Sequence, residues 1–332
     1  MTSRRKDARM PGSVPAVDRR TALRALGLLG GLAVVSGCAA GFADTRLRMA
    51  TGPTEGGYFT VGTRLAQIWH RELGLSTVPR VLATAGSMDN LRLLDSGGAD
   101  LVFCQVDVAA DRAACCSPDD PTSPRALARI YDDVVHIVVP AASAVRTMDQ
   151  LRGARVSLGG SGSGAQFVAR RLLQAADMDA DTDMTSVQLG IAESSAALAA
   201  GDIDAFFWAG SLPTQGISTL AAQLTIRLVD LADVVGKLRA TYPEYSAGTI
   251  PAGSYGIPQP VTSLMVRNVL LVRADTPNLL AEALVEALFS TQDELARSSR
   301  AALTMDPRAA IGTQPLLLHP GAERFYRRKD TF

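Results

Sequence analysis

The stretch from Val156 to Leu173 has the residue types and spacing of an anion-binding turn. It reads VSLGGSGSGAQFVARRLL, which is an apolar strand pattern, a run of glycine and serine, and then the periodicity of a helix. Gly160, Gly162 and Ala165 fit the permissive form of G-x-G-x-x-G/A, a turn that holds the pyrophosphate of dinucleotides. Such a turn presents backbone N–H groups and a positive helix end to any anion, so it predicts anion binding without identifying the anion.

The sequence lacks the motifs of the common hydrolases and metalloenzymes. It contains no G-x-S-x-G nucleophile turn, no H-E-x-x-H pair and no phosphate-loop lysine. His70, His136 and His319 are scattered single residues, and the cysteines lack C-x-x-C spacing. We therefore predict no catalytic residue, no metal site and no cofactor. An exported enzyme remains an alternative, because two-lobed folds also host catalysis.

The N-terminus carries the pattern of an export signal. Basic residues precede a short apolar stretch, from about Ala25 to Ser36, that is too short to span a bilayer. The ending VSGC, which closes at Cys38, resembles a bacterial lipobox, in which the cysteine is diacylated and becomes the first mature residue. We predict residues 1–37 as a signal peptide with lipobox, Cys38 as the lipidation site and residues 38–45 as a tether. The alternative is an ordinary secretory signal in which Cys38 is incidental.

This predicted location restricts the partners of the protein. The pair Arg19-Arg20 resembles a twin-arginine signal, and the export route stays open. Cofactors such as NAD are scarce outside the cytoplasm, which disfavours a nucleotide in the glycine turn. The 33 Lys and Arg residues balance 33 Asp and Glu residues, so no basic face for nucleic acid is implied. We expect an extracytoplasmic protein that is lipid-anchored to the bacterial cell membrane.

Three further cysteines follow Cys38 in this oxidising compartment. Cys104, Cys115 and Cys116 cannot all pair within one chain. The sequence leaves two alternatives: a disulfide from Cys104 to Cys115 or Cys116, or three reduced thiols.

The rest of the chain alternates short apolar strands with helical patterns, which is typical of an α/β fold with largely parallel sheets. Residues 58–74 predict a helix with Val61, Leu65 and Trp69 on one face and Gly74 as its stop. The run ADLVFCQ predicts a strand that is buried on both faces.

An internal echo predicts two similar lobes. The pattern Leu94-x-x-Gly97-x-x-Asp100 recurs as Leu198-x-x-Gly201-x-x-Asp204, and a buried strand follows each copy. A glycine-rich loop precedes each copy as well. Two such units build two α/β lobes whose strand ends and helix starts face a shared cleft, an architecture that closes around a small ligand.

Residues at these strand ends and helix starts are the candidate ligand contacts. The backbone N–H groups of Gly164 and Ala165 are candidates for a ligand carboxylate, because glycine allows close approach. Tyr58 and Trp208 are candidates for packing on an aliphatic ligand, with burial in the core as the alternative. The full set is Glu55, Gly56, Gly57, Tyr58, Thr84, Ser87, Gln105, Asp107, Ser161, Ser163, Gly164, Ala165, Gln166 and Trp208.

Several of these polar residues also have purely structural interpretations. Ser163 and Gln166 form S-x-x-Q, a capping box that satisfies the first N–H groups of a helix without any ligand. Ser87 is placed to cap the helix that follows it, and Asp107 to start one.

Five motifs, in order, resemble the TAXI type of TRAP-transporter solute receptors. They are TGPTEGGYFTVG, ATAGSMDNLRLLDSGGADLVFCQVDVA, VHIVVPAASAVRTMDQLRGARVSLGGSGSGAQFVARRLLQAA, GDIDAFFWAGSLP and YPEYSAGTIPAGSYG. The resemblance implies a monomeric, two-lobed extracytoplasmic receptor of the periplasmic-binding-protein-like type II fold, with a ligand cleft between the lobes. It also implies capture of a small organic solute, which the receptor delivers to a TRAP-type membrane permease. Ligands of the family are glutamate, related amino acids, 2-oxoglutarate and other small carboxylates.

The chain departs from this family in its two glycine loops. Pro53 and Glu55 stand where glycines are usual, Ser161 where proline is common, and Ala165 where threonine is common. Glu55 either faces solvent near a helix start or points into the cleft. In the cleft it would accept a hydrogen bond from an ammonium group and favour an amino acid over its keto analogue.

The two lobes are predicted to be discontinuous in sequence. Lobe 1 is assigned residues 46–137 and 273–332, and lobe 2 residues 138–272. The crossover is expected near residues 136–142 and the return near residues 266–273. A lipoprotein that presents its ligand to a membrane sensor kinase would share every feature of this cleft and remains the alternative to transport.

Overall fold

One mixed sheet runs through the part of the chain that the computed structural model describes, which is residues 2, 41–117, 119–298, 302–303 and 305–329. The predictions for residues 1–37, for Cys38 and for the start of the tether fall outside the described residues. The strands are β1 Arg48–Ala50, β2 Arg80–Leu82, β3 Leu101–Gln105, β4 Pro124–Pro140, β5 Arg155–Ser157, β6 Thr185–Val187, β7 Ala205–Gly210, β8 Ile226–Leu228, β9 Ser246–Ile250 and β10 Val261–Arg273.

Helices follow most of the strands. The α-helices are α1 Gly57–Glu72, α2 Ser87–Asp95, α3 Val106–Ala114, α4 Gly164–Ala175, α5 Ile191–Ala200, α6 Gln215–Ala221, α7 Ala232–Thr241, α8 Asn278–Ser290, α9 Gln292–Ser298, α10 Pro307–Ala310 and α11 Pro320–Arg328. Short 3-10 turns occupy Met148–Leu151 and Ser254–Gly256. In the described part of the chain, no helix is both long enough and apolar enough to cross a membrane.

The strand order β2-β1-β3-β10-β4-β7-β5-β6 contains two parallel groups joined by two long antiparallel strands. Strands β2, β1 and β3 are parallel to one another, and so are β6, β5 and β7. Strand β10 pairs antiparallel with β3 and β4, and β4 pairs antiparallel with β7. Strand β8 pairs antiparallel with the end of β4, and β9 pairs antiparallel with the start of β10. The predicted α/β class with two lobes is confirmed.

Each parallel group has its own hydrophobic core. We call lobe 1 the part built around β1–β3 and lobe 2 the part built around β5–β7. In β4 the core contacts change from lobe 1 to lobe 2 between Tyr131 and Val134, and in β10 they change back between Val266 and Val269. The assigned lobe boundaries, after residue 137 and before residue 273, stay predictions.

The sequence echo is reproduced by matching ion pairs. In lobe 1, the backbone N–H and the guanidinium of Arg48 donate to Asp100, with the backbone N–H 2.8 Å from Oδ2. In lobe 2, Arg155 donates to Asp204 in the same manner and at the same backbone distance. Each aspartate thus ties the start of one strand to the loop before its parallel neighbour.

Helix α1 follows its predicted pattern. Val61, Leu65 and Trp69 are buried in the core of lobe 1, and the Trp69 indole N–H donates to the carbonyl of Leu284 at 3.1 Å. Gly74 adopts a φ of +63°, a backbone conformation that stops a helix and that glycine reaches without strain.

The three cysteines of the described region are free thiols. Cys104 is buried in lobe 1, and burial raises the pKa of its thiol well above the ordinary value. Cys115 is exposed and Cys116 half-buried beyond the end of α3. Of the two alternatives left open by the sequence, the structure has the reduced thiols.

Candidate ligand-binding site

A cavity of about 230 Å³ lies between the lobes, where the carboxyl ends of the parallel strands meet. Lobe 1 contributes the loops after β1 and β2 and the last residue of β3. Lobe 2 contributes the glycine loop after β5 and the segment from the end of β7 to the start of α6. The middle of β4 closes the bottom. This is the position at which open α/β sheets bind ligands.

Helix starts from both lobes line the cavity. Helix α1 begins at Gly57 and helix α4 at Gly164, and both glycines border the cavity. Among the described residues, no acceptor pairs with the backbone N–H groups of Gly57 and Tyr58 or with those of Gly164 and Ala165. Two helix N-termini with unpaired N–H groups form a cradle for an anion.

The start of α2 is already occupied by the opposite lobe. The carbonyl of Gly162, in the glycine loop of lobe 2, accepts the N–H groups of Met88 and Asp89 at 3.1 and 3.2 Å. Gly162 has a φ of +80°, and a Cβ there would lie 2.5 Å from the carboxylate of Asp89. Only glycine therefore allows the two lobes to meet at this point.

Four side chains form what we call the floor of the cavity: Tyr58, Gln105, Tyr131 and Asp133. The Gln105 amide nitrogen Nε2 donates to Oδ2 of Asp133 at 3.0 Å. The Tyr58 hydroxyl donates to the side-chain oxygen of Asn268, which lies opposite Gln105 on β10. The Tyr58 ring stacks on Phe103, with 5.2 Å between the ring centroids.

Burial dominates the electrostatics of this floor. Burial raises the pKa of Asp133 from 3.8 to about 6, although the hydrogen bond from Gln105 opposes the rise. Burial also raises the pKa of the Tyr58 and Tyr131 hydroxyls well above their ordinary value, and the nearby Asp133 adds to the effect. The hydroxyls therefore stay protonated and able to donate. Within the described residues, no group of three or more His, Cys, Asp or Glu side chains is arranged to hold a metal ion.

Trp208 forms the wall on the side of lobe 2. Its indole N–H donates to the Thr214 hydroxyl at 3.0 Å, and the Thr214 backbone N–H donates to the Tyr255 hydroxyl at 2.7 Å. A Cβ on Gly210 would lie 2.5 Å from the indole nitrogen, so this glycine leaves room for the ring. The ring is held at the cavity edge as an apolar surface.

A buried polar network joins the lobes beside the cavity. The Tyr245 hydroxyl of lobe 2 donates to Oδ2 of Asp107 in α3 at 2.6 Å. Arg171 of α4 pairs with Glu244 at 3.0 Å and also reaches Asp111 of α3. Burial raises the pKa of Asp107 to about 6, against the opposing hydrogen bond from Tyr245.

Most of the candidate residues come together at the cavity. Those that line it are Glu55, Gly56, Gly57, Tyr58, Ser87, Gln105, Ser163, Gly164, Ala165 and Trp208. Glu55 lies at the exposed rim, where Oε1 accepts a hydrogen bond from the Thr54 hydroxyl at 2.8 Å.

Four candidates lie outside the lining. Asp107 is fully buried against Tyr245, because α3 turns its first residues away from the cavity. The Thr84 hydroxyl accepts the N–H of the nearby Gly86 and supports its own loop. Ser161 is exposed to solvent, and Gln166 is turned back onto the glycine loop.

The structural alternatives for the serines are partly realised. The Ser163 hydroxyl oxygen accepts the N–H of Gln166 at 3.1 Å, as a helix cap should. The second bond of a capping box is replaced, because the Gln166 side chain accepts the N–H of Gly162 instead. Ser87 does not cap α2. Its hydroxyl oxygen accepts the N–H of Gln105, which ties α2 to the end of β3.

Three parts of the lining were not predicted from the sequence: Asp133, Tyr131 and the segment from Ser211 to Gln215. A signal for Asp133 was present, since the doublet Asp132-Asp133 interrupts a long apolar strand. Strands that link two lobes pass the ligand cleft, so a polar interruption in such a strand is a candidate contact.

The chain is similar to known proteins in sequence and in fold. A family profile described as the NMT1-like family matches residues 49–329. The periplasmic aliphatic sulphonate binding protein of Escherichia coli is 17% identical, with 86% of this chain and 78% of that chain covered and a TM-score of 0.45. The alkanesulfonate-binding protein of Xanthomonas axonopodis pv. citri bound to MOPS is 20% identical, with 85% and 83% covered and a TM-score of 0.46. An ancestral arginine-binding protein bound to arginine is 13% identical, with 76% and 96% covered and a TM-score of 0.48.

Proposed function

The chain belongs to the NMT1-like family, and we propose that it is an extracytoplasmic receptor that captures a small carboxylate or amino acid in the interlobe cavity. It delivers this solute to a TRAP-type permease as a receptor of the TAXI type. Cys38 carries the lipid that holds it at the membrane surface.

The observation that carries the proposal is the anion cradle shared by the two lobes. Helix α1 of lobe 1 and helix α4 of lobe 2 both begin at this cavity, and their first N–H groups have no acceptor among the described residues. A carboxylate between them would be held by hydrogen bonds and by the positive ends of both helices. Because one anion contacts both lobes, it stabilises the arrangement in which the lobes are close.

Contacts between the lobes supply the second part of a receptor mechanism. Two sets of hydrogen bonds cross from one lobe to the other. The Gly162 carbonyl of lobe 2 accepts N–H groups at the start of α2 in lobe 1, and the Tyr245 hydroxyl of lobe 2 donates to Asp107 of lobe 1. These contacts are broken when the lobes separate. A ligand that prefers the closed state shifts the population toward it, and the permease distinguishes loaded from empty receptor by this change in shape.

The transport partner is proposed from the five motifs that resemble the TAXI receptors. They include both glycine loops of the cavity and the GDIDAFFWAG segment that ends at Trp208 and Gly210. The loops that line the cavity therefore carry much of the resemblance, whereas Tyr131 and Asp133 of the floor lie outside the five motifs.

A thermal-shift screen tests the proposal. The purified protein is unfolded, refolded to remove any bound solute, and heated with amino acids, 2-oxo acids, dicarboxylates and alkanesulfonates. A true ligand at about 100 times its dissociation constant stabilises the folded state by roughly 2.7 kcal/mol. Small-angle scattering at saturation should then show a smaller radius of gyration. The absence of any saturable shift, or an unchanged radius with bound ligand, would contradict a hinged anion receptor.

A further inference from the structure

The charged side chains that line the cavity are all acidic. Glu55 lies at the rim and Asp133 on the floor, and the described lining residues include no lysine, arginine or histidine. Asp133 is only 6% exposed and forms no ion pair with any described residue. By contrast, the buried Glu244 has Arg171 at 3.0 Å. A buried carboxylate without a cation is unfavourable, and a positive group on a ligand would supply the missing partner.

A second acceptor lies beside Asp133 without a partner. Gln105 is 2% exposed and lines the cavity, and its side-chain oxygen Oε1 has no hydrogen-bond partner among the described residues. Its amide nitrogen donates to Asp133 at 3.0 Å, and Oε1 lies against Gly164 at the start of α4, where a Cβ would be 2.1 Å from it. The amide of Gln105 therefore fixes the position of the Asp133 carboxylate on the floor of the cavity.

We infer that Asp133, positioned by Gln105, binds an ammonium group of the ligand, so that the cavity selects amino acids over 2-oxo acids and dicarboxylates. This assignment rests on the proposed receptor function and adds the feature that discriminates within its ligand class. The carboxylate lies at the starts of α1 and α4, and the ammonium group lies on the floor. The two ends of a zwitterion are thereby matched to a positive and a negative region of one cavity.

A ligand without an ammonium group fits this floor less well. A second carboxylate or a keto oxygen directed at Asp133 would bring a like charge or a lone pair against the ionised carboxylate. Selectivity then comes from contacts that favour the amino acid and from repulsion of its analogue. Glu55 contributes less, because it is exposed at the rim and already accepts a hydrogen bond from Thr54.

Isothermal titration of matched pairs tests the inference. The probes are L-glutamate with 2-oxoglutarate, L-alanine with pyruvate, and L-leucine with 4-methyl-2-oxopentanoate, each at pH 7.5 on refolded, ligand-free protein. For whichever of these pairs binds, we expect the wild-type protein to bind the amino acid at least tenfold more tightly than the matching 2-oxo acid. The variant Asp133→Asn should weaken that amino acid about 10- to 100-fold, as loss of a charge-assisted hydrogen bond does, and leave the oxo acid equal or tighter.

Asp132→Asn is the matched control. It removes the same charge from the adjacent residue, whose carboxylate pairs with Arg129 at 2.6 Å and does not line the cavity. Its affinities should stay within about twofold of the wild type. A second variant, Gln105→Met, keeps the size of the side chain and removes the amide that donates to Asp133, and it should also weaken the amino acid selectively.

The outcomes separate the inference from the proposed function. Two results would overturn the ammonium site without contradicting the proposed receptor function. One is wild-type protein that binds an oxo acid as tightly as its amino acid or more tightly, and the other is an equal loss of affinity for both members of a pair in Asp133→Asn. No saturable binding of any probe would overturn both. Selective loss of the amino acid in Asp133→Asn, with Asp132→Asn unchanged, supports the assignment.

Discussion

Removal of the buried charge on Asp133 should stabilise the ligand-free protein. The folded state raises the pKa of this carboxyl from 3.8 to about 6, because burial disfavours the ionised form. A carboxyl with a raised pKa opposes folding at neutral pH. Below about pH 4 it is protonated in both the folded and the unfolded chain and has no effect. Its cost grows between pH 4 and pH 6 and is complete above pH 6.

The size of the effect follows from the pKa difference. Each unit of pKa difference between the folded and unfolded chain corresponds to about 1.4 kcal/mol, so ionised Asp133 lowers the free energy of unfolding by up to about 3 kcal/mol at pH 7.5. Asparagine keeps an oxygen that can accept the hydrogen bond from Gln105 and carries no charge. We therefore expect Asp133→Asn to raise the melting temperature by roughly 4–6 °C at pH 7.5.

Urea unfolding of ligand-free protein at pH 4.5 and pH 7.5 measures this effect. The gain from Asp133→Asn should be large at pH 7.5 and should shrink at pH 4.5, where the wild-type carboxyl is mostly protonated. Asp132→Asn, which breaks an ion pair with Arg129, should give no gain at either pH. An equal gain at both pH values, or a loss of stability at pH 7.5, would refute the view of Asp133 as an uncompensated buried charge.

Three further predictions concern closure and anchoring. In Gly164→Ala, the new Cβ would lie 2.1 Å from the side-chain oxygen of Gln105, so the ligand affinity measured by calorimetry should fall at least tenfold. The control Ser161→Ala changes an exposed residue of the same loop and should bind the ligand normally. Equal affinities of the two variants would contradict the close approach at Gly164. Tyr245→Phe removes the hydroxyl that donates a hydrogen bond from lobe 2 to Asp107 of lobe 1. The ligand-free variant should therefore have a larger radius of gyration by small-angle scattering than the ligand-free wild type. An unchanged radius would show that this bond does not hold the lobes together. Cys38→Ala should release the protein from the membrane fraction or leave it unprocessed, since dual acylation provides stable attachment; unchanged membrane partitioning would remove the lipoprotein assignment.

The sequence predicted those parts of the fold that depend on local pattern. The apolar face of α1, the buried strand β3 and the echo of Asp100 in Asp204 all reflect periodicity or spacing that a single chain shows directly. The contacts at Gly57 and Gly164 were also predictable, because a glycine at a helix start has a specific physical use.

The floor of the cavity was not predictable in the same way. Asp133 reaches the site only because β4 passes between the lobes, and its pairing with Gln105 joins residues 28 positions apart. Asp107, two residues after Gln105, was expected beside it in the cleft. The start of α3 rotates its carboxylate toward Tyr245, a partner that lies 138 residues away. Long-range pairings of this kind leave no local pattern in the sequence.

The geometry also explains the glycine turn that resembles a nucleotide-binding motif. Gly162 adopts a positive φ and passes so close to Asp89 that any side chain would collide with that carboxylate. Gly164 lies against Gln105 and lines the cavity. The first glycine is required where one lobe meets the other, and the second where the start of α4 packs against Gln105. Neither requirement involves a pyrophosphate, because the close approach of the backbone to Asp89 and to Gln105 is enough to account for glycines at this spacing.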